Sequence, residues 1–346
     1  MQAAESYWSG RAVLVTGCAG FLGSWLCRTL LRSGSRLTGV DVSEEAGAAL
    51  RRRLPELGEP GELPGERKDT EAFSYRAGQL EDYEFLKQTL AESEAGTVMH
   101  LAGQSQVGVA ARFPRETFES NIRGTWNLLE AARQTQRPVQ VILASSESVY
   151  GEPGALPFTE EMPLAGRHPY DASKIAAELL GQTYQRSYGL AVCATRASNL
   201  YGGGDGNFGR LIPGTIRSVL RGERPQIRSD GQAARDYLYI EDAVRGYLAL
   251  AESMQQPDIA GEAFNLCGER PVSTLEVVDT ILELMGRKDL SPEILNQPSN
   301  EPPLRYSSGR KAQERLGWSA QFSLKDGLRR TIQWYERSLA RLPGAG

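Results

Sequence analysis

Histidine is almost absent from this chain: 346 residues hold two, His100 and His168. A multi-histidine metal centre is excluded, and acid–base chemistry must fall to tyrosine, lysine, serine, carboxylates or a bound cofactor. Cysteine is scarce too. Cys18, Cys27, Cys193 and Cys267 form no C-x-x-C pair and stand at no metal-ligand spacing, so they read as buried free thiols and no metal is expected. Positive charge is not in excess. The formal net charge is -4 and no basic block occurs, which leaves no footprint for nucleic acid. No apolar run approaches membrane-spanning length, so no membrane partner is expected. Residues 1–8 lack the basic and apolar regions of a signal peptide, which reads as a cytoplasmic location.

What is present is an alternation of apolar runs and amphipathic segments in a chain long enough for two domains or one large α/β unit. Ala12-Val13-Leu14-Val15-Thr16 is apolar throughout and reads as a buried parallel strand. Gly17 ends it, and helical spacing follows from Phe21 to Arg32. Gly17, Gly20 and Gly23 thus fall on a strand-to-helix turn, where glycines permit close backbone approach and a helix N-terminus offers N–H groups to a pyrophosphate. Arg36 to Val42 is a second strand, ending in an acid. Asp41 lies about two dozen positions after Gly17, where a carboxylate accepts hydrogen bonds from an adenosine ribose and repels a 2′-phosphate. NAD is therefore expected over NADP, Arg51, Arg52 and Arg53 being distant in sequence; the plain alternative for Asp41 is a turn or helix cap.

Residues 54–70, rich in Gly and Pro, read as a turn-rich insertion. Further strands are expected at 74–80, 96–103, 139–144 and 191–196, with a helix from Asn121 to Arg133; the alternation implies a parallel sheet with right-handed crossovers. Ser145 to Ser148 follow the fifth strand at its carboxyl end, where open α/β sheets bind ligands. Tyr170 and Lys174 stand four apart in a helical segment, on one face. A cation beside a phenol lowers its pKa, which makes Tyr170 a candidate general base. Taken alone, such a pair is ordinary helix surface. After residue 199 the alternation ceases; a helix at 211–221, the stretch Arg235 to Asp242, a strand at 263–267 and helices at 274–285 and 324–340 complete the reading.

Together these stretches resemble the extended short-chain dehydrogenase/reductases, specifically the NAD-dependent nucleotide-sugar epimerases and dehydratases. The resemblance rests on Thr16-Gly17-x-x-Gly20-Phe21-Leu22-Gly23, His100-Leu101-Ala102, Asn121-Ile122-x-Gly124-Thr125, Ser145-Ser146, Val149-Tyr150-Gly151, Tyr170-x-x-x-Lys174, Arg196-x-x-Asn199-x-Tyr201-Gly202 and Arg235-Asp236-Tyr237, in family order. Asn199 to Pro213 looks most like the CDP-glucose 4,6-dehydratase branch. The resemblance implies a Rossmann doubly wound parallel sheet with a smaller C-terminal α/β substrate domain. Residues 1–199 would bind NAD, with the chain returning near 236–262, and 200–346 would mainly hold the nucleotide-diphosphate sugar.

It also implies roles. Gly17, Gly20, Phe21, Leu22 and Gly23 would hold the pyrophosphate, Asp41 the ribose, and Gln79 with Leu80 the adenine, although the family usually has Asp at the position of Gln79. Leu101, Ala102, Gly103, Gln104, Asn121 and Ala144 would line the rest of the cofactor. Lys174 would bond the nicotinamide ribose and depress the pKa of Tyr170, Ser146 would bond the sugar C4 hydroxyl, and Tyr170 would take its proton. Asn199, Arg210, Leu211 and Arg235 would hold the nucleotide sugar, the arginine clamping its diphosphate. A homodimer is expected through helices beginning near Phe118 and Tyr170; Trp126, Leu128, Leu129, Ala176, Leu179 and Leu180 fit either that interface or packing on the sheet.

Glu147 and Ser148 depart from the dehydratase pattern. Dehydratases commonly carry an acid and then a base there; Glu147 could be the acid, but a serine is a poor proton acceptor. A 4-epimerase needs only Ser146, Tyr170, Lys174 and NAD, and is the expected activity. A 4,6-dehydratase is the alternative, and an NAD-binding regulatory protein the non-enzymatic one.

Overall fold

The first strand explains why the sheet needs cover on both sides. β1 (Ala12–Thr16) is buried at every position. Val13 and Val15 pack with Trp25, Leu26 and Leu30 on one face, while Leu14 packs with Val40, Leu86 and Val98 on the other. Alternate side chains feed two cores, so helices must lie on both faces. The computed structural model describes residues 7–58, 72–152, 154–256, 258–298 and 302–339.

Five more strands follow β1 into the same sheet: β2 (Arg36–Asp41), β3 (Phe73–Ala77), β4 (Thr97–His100), β5 (Gln140–Ser146) and β6 (Ala191–Ala197). The chain then builds β7 (Asn199–Tyr201), β8 (Gln226–Ile227) and β9 (Ala234–Tyr239) elsewhere and returns with β10 (Ala263–Leu266). The large sheet has the order β10-β6-β5-β4-β1-β2-β3, all pairs parallel. The strand order reverses between β1 and β4, which opens a crevice at their carboxyl ends.

The helices of this half are α1 (Phe21–Arg32), α2 (Glu44–Arg53), α3 (Tyr83–Ser93), α4 (Val107–Arg112), α5 (Pro114–Phe118), α6 (Gly124–Arg133) and α7 (Pro169–Tyr188). Ser43 caps α2 by accepting from Ala46 N, and Asp82 caps α3 by accepting from Phe85 N. The helix expected from Asn121 begins earlier, because Pro114 starts a turn at its first position and a π-helical segment, Glu119–Arg123, joins α5 to α6.

The smaller sheet centres on β9, flanked by β7, β11 (Pro271–Ser273) and β13 (Leu304–Arg305), while β12 (Glu293–Ile294) pairs with β8. Helices α8 (Leu211–Leu220) and α10 (Thr274–Leu284) bury Val219, Ile227, Val278 and Leu282 against one another. Helix α9 (Ile240–Ser253) starts where β9 ends and carries the chain back to the large sheet, α11 (Arg310–Leu316) contacts β10, and α12 (Leu324–Leu339) completes the described fold.

Several boundaries differ from the sequence expectation. β3 stops at Ala77, after which Gly78 N still donates to Asp41 O at 2.9 Å; β4 stops at His100 before Gly103, whose φ is +144°. β5 runs through Ser146, since Ser145 and Ser146 pair in register with Arg196 and Ala197 of β6. Most of the insertion expected at 54–70 lies outside the described residues; Leu54–Glu56 form a 3-10 turn. Leu128 and Leu129 are fully buried against the sheet and Leu180 packs on the same core, so of the residues expected on a dimer face Trp126 and Leu179 are the large apolar ones left exposed. On each helix the apolar stripe is wide enough to bury adjacent residues such as Leu128 and Leu129, and Trp126 and Leu179 fall outside it.

Candidate active site

The glycine turn closes on itself tightly enough to exclude any side chain. A Cβ on Gly23 would lie 2.1 Å from the Gly17 carbonyl oxygen, and one on Gly17, at φ +70°, would lie 2.7 Å from Ala102 N. Loops after β1 and β4 therefore touch at the reversal point. Gly20, the N-cap of α1, has no side chain with which to cap the helix, so the first-turn N–H groups of Phe21, Leu22 and Gly23 face outward from a positive helix end. At the end of β2, Asp41 accepts from Ala19 N at 2.8 Å and Val42 N at 2.9 Å. This cradle, with an anchored acid beside it, fits a dinucleotide's pyrophosphate and ribose. Gln79 is exposed beside it, whereas Leu80 is buried under Gly124.

Arg53 corrects one expectation. Its Nη1 donates to Ala19 O at 3.0 Å, so an arginine distant in sequence reaches the glycine loop.

The Asn121 amide is engaged by protein groups. Its Oδ1 accepts from Gln104 N at 2.7 Å, and its Nδ2 donates to Gln104 O at 3.0 Å and Ser173 Oγ at 2.9 Å. Ser173 Oγ in turn donates to Tyr170 O at 2.6 Å. On the other side Thr125 Oγ1 donates to Asn121 O at 2.6 Å and meets His100 Nε2 at 3.1 Å, while His100 Nδ1 meets Thr16 Oγ1 at 2.8 Å. This buried chain ties β1, β4, the π segment and α7 into one frame. Burial, with the Lys174 charge adding to it, pushes the His100 imidazole down to about 3, so it serves as a neutral strut.

Tyr170, Lys174 and Ser146 converge at the end of β5. Lys174 Nζ donates to Ala144 O at 2.8 Å and stands 5.9 Å from the Tyr170 ring centroid. Ser146, two residues further on, hydrogen-bonds the Tyr170 side chain. The expected depression of the Tyr170 pKa by Lys174 is not found. Burial raises the phenol, Ser146 and the Arg210 charge pull the other way, and burial also brings Lys174 down to about 8. One of the three ammonium N–H groups of Lys174 is used on the Ala144 carbonyl. Arg210 is half-buried, held by Asp205 Oδ2 at 3.1 Å.

Below the site lies a buried ion pair: Arg196 Nη2 meets Glu178 Oε2 at 2.8 Å, and Ser145 Oγ donates to Glu178. It fixes α7 to β5 and β6, and with them the angle at which Tyr170 is presented.

Sequence reasoning gave Asp236 no role. The structure sets its carboxyl against that of Glu147 within hydrogen-bond reach. Glu147 Oε2 and Asp236 Oδ1 are both buried without a hydrogen-bond partner, so a proton held between the two carboxyls would answer the need of both. Burial and the neighbouring Asp236 charge push Glu147 up to about 8 against the pull of Arg305 and Arg235; burial likewise raises Asp236. Asp236 Oδ2 accepts from Ser198 Oγ at 2.7 Å, and Arg305 Nη2 donates to Glu147 O at 3.3 Å. Asn199 is exposed, its Nδ2 3.5 Å from Asp236 O, and Arg235 is half-buried on the same strand. Leu211 packs into the apolar core at the start of α8.

All four cysteines are buried and free, and the described residues contain no cluster of three or more His, Cys, Asp or Glu able to hold a metal. No helix among them is long and apolar enough to cross a membrane.

The family model for GDP-mannose 4,6 dehydratase matches residues 14–331. The chain belongs to this family. It is 32% identical to dTDP-glucose 4,6-dehydratase of Neisseria meningitidis serogroup B over 94% of this chain and 93% of the relative, and 31% identical to UDP-glucuronate 4-epimerase of Thermodesulfobacterium geofontis over 94% and 96%. Among solved structures, a double mutant of dTDP-glucose 4,6-dehydratase from Streptomyces venezuelae, with NAD bound, superposes with a TM-score of 0.81 at 26% identity, covering 96% of this chain and 99% of that one. The family is NAD-dependent, and its members modify nucleotide sugars.

Proposed function

We propose that the chain is a nucleotide-sugar 4-epimerase that oxidises C4 of its substrate transiently and restores it with inverted configuration. The observation that carries this reading is the convergence of Ser146, Tyr170 and Lys174 at the carboxyl end of β5, in a family whose members act on nucleotide sugars. Gly17, Gly20, Phe21, Leu22 and Gly23 would hold the NAD pyrophosphate and Asp41 its adenosine ribose; Lys174 lies beside Ala144 at the opposite end. Bound NAD supplies a hydride acceptor and donor. Ser146 orients the C4 hydroxyl, and Tyr170 takes its proton and later gives it back to the ketone oxygen. Because burial raises the phenol, Tyr170 is protonated at rest, and Lys174 and Arg210 are the cations available to favour its phenolate during proton transfer. Arg210, Arg235 and Asn199 would take the nucleotide diphosphate. Two copies would associate through the exposed Phe118, Trp126 and Leu179.

A 4,6-dehydratase is the second reading, favoured by one observation: the Glu147 carboxyl is held neutral at pH 7 and is thus a proton donor beside Ser146. Against it, Ser148 stands where a base is needed. Incubation with UDP-, dTDP-, GDP- and CDP-hexoses, followed by mass spectrometry and proton NMR, tests both. Unchanged mass with inverted C4 supports the epimerase; loss of one water with a new C6 methyl group overturns it. Tyr170→Phe should abolish turnover while NAD still binds, and full activity in that variant would sink the enzymatic assignment.

A further inference from the structure

Three consecutive residues at the end of β5 are each tied to α7, and the middle tie is made by a residue that the chemistry above does not use. Lys174 Nζ donates to Ala144 O at 2.8 Å, Ser145 Oγ donates to the Glu178 carboxylate, and Ser146 hydrogen-bonds the Tyr170 side chain. Tyr170, Lys174 and Glu178 follow one another at intervals of four residues, so they form one stripe along α7. Glu178 is the deeply buried end of that stripe, its side chain 1% exposed. Arg196, in register with Ser145 on β6, meets it from the other side: Nη2 donates to Oε2 at 2.8 Å, and Nε lies 3.2 Å from each oxygen. Arg196 Nη1 also donates to the Tyr150 hydroxyl at 3.0 Å, which donates to Asn265 Oδ1 at 2.7 Å. A shift of the carboxylate is thus passed to Ser145, and through the backbone to Ser146.

The same carboxylate acts on Lys174. Burial brings the ammonium down to about 8, and the Glu178 charge works against that fall. The other titratable groups nearby do not take its place. His100 of β4 is buried and neutral, Arg196 of β6 is bound to Glu178, Glu147 turns to Asp236, and Glu130 of α6 lies against Tyr184 toward the far end of α7. We infer that Glu178 is a positioning residue for the C4 oxidation, holding Ser146 in line through Ser145 and facing Lys174 with a negative charge that favours its ammonium form. This rests on the reading that Ser146, Tyr170 and Lys174 carry that oxidation, and it holds whether epimerisation or elimination follows.

The test is steady-state turnover of whichever UDP-, dTDP-, GDP- or CDP-hexose the wild type converts fastest, from about pH 6 to about pH 9.5, in Glu178→Gln and Glu178→Asp. Without the charge the ammonium loses its proton at lower pH, so the alkaline limb of kcat should move down by at least about half a unit in Glu178→Gln. Its kcat at pH 7 should fall by about tenfold to a hundredfold with KM held within about threefold, because a displaced Ser146 disturbs the reacting geometry more than binding. Glu178→Asp keeps the charge and should bring the limb back toward the wild-type pH. An alkaline limb that stays in place in Glu178→Gln would reduce the ion pair to a brace of the fold and overturn the proposal. Since Gln leaves Arg196 buried beside a neutral amide, the double variant Glu178→Gln with Arg196→Met is measured too, and where it alone folds its limb must also move down. Tyr170→Phe separates the two levels of the argument: retained turnover there overturns the underlying reading, whereas a dead Tyr170→Phe beside an unmoved limb in Glu178→Gln overturns the role of Glu178 alone.

Discussion

Replacing Glu147 by Gln should make the protein more stable at neutral pH, and the size of the gain follows from the buried carboxyl pair. The Glu147 carboxyl has an ordinary value of 4.5 and is raised to about 8 in the fold, chiefly by burial and then by Asp236. The folded state therefore binds a proton more tightly than the unfolded chain. Stability falls as pH rises from about 4.5, and levels off above about 8, where both states have lost the proton. Each pH unit in that window is worth about 1.4 kcal/mol, so at pH 7 the burial of this group costs on the order of 3 kcal/mol. Asp236, also raised, adds to the same slope. A glutamine amide can donate to Asp236 Oδ1 without titrating. Denaturant unfolding of both proteins at pH 5, 6, 7 and 8 checks this. The variant's advantage should be small at pH 5 and grow toward pH 8. A pH slope identical in the two proteins would refute the shared-proton account.

Gly23→Ala should destroy dinucleotide binding and lower the melting temperature, since its Cβ would sit 2.1 Å from a backbone oxygen that cannot yield; retained NAD affinity by calorimetry would contradict the cradle. Glu178→Gln leaves the Arg196 guanidinium buried beside a neutral amide, and should cost about 3–5 kcal/mol in urea unfolding. The paired substitution Trp126→Glu and Leu179→Glu should yield a monomer in sedimentation at micromolar concentration with unchanged far-UV circular dichroism, both side chains being exposed; a wild type that is itself monomeric would remove the dimer.

Local pattern carried much of the architecture. The apolar run of β1 and the glycines after it are consecutive in sequence, and their spacing alone implies a strand, a tight turn and a helix start. Tyr170 and Lys174 share one helix, so period sufficed to place them together. What escaped depends on contacts between remote segments. Asp236 was visible beside Arg235, but only the approach of β9 to the turn after β5 sets it against Glu147. Arg53 and Arg305 reach the site from α2 and β13, and nothing in their neighbours announces it. Sequence shows the cation near Tyr170 but not the burial that raises its phenol.

The chain passes between the large sheet and the sheet centred on β9 three times: from β6 to β7 across Ser198 alone, from β9 through α9 to β10 with no residue between Tyr239 and Ile240, and from β10 to β11. None of these passages is a linker. The part of the chain built on β9 could therefore not be exchanged between relatives by one crossover event; three simultaneous splices would be needed, and a fragment ending at residue 199 would lack the edge strand β10 of the large sheet. The half built on β9 is thus open to change residue by residue, and not as one contiguous block.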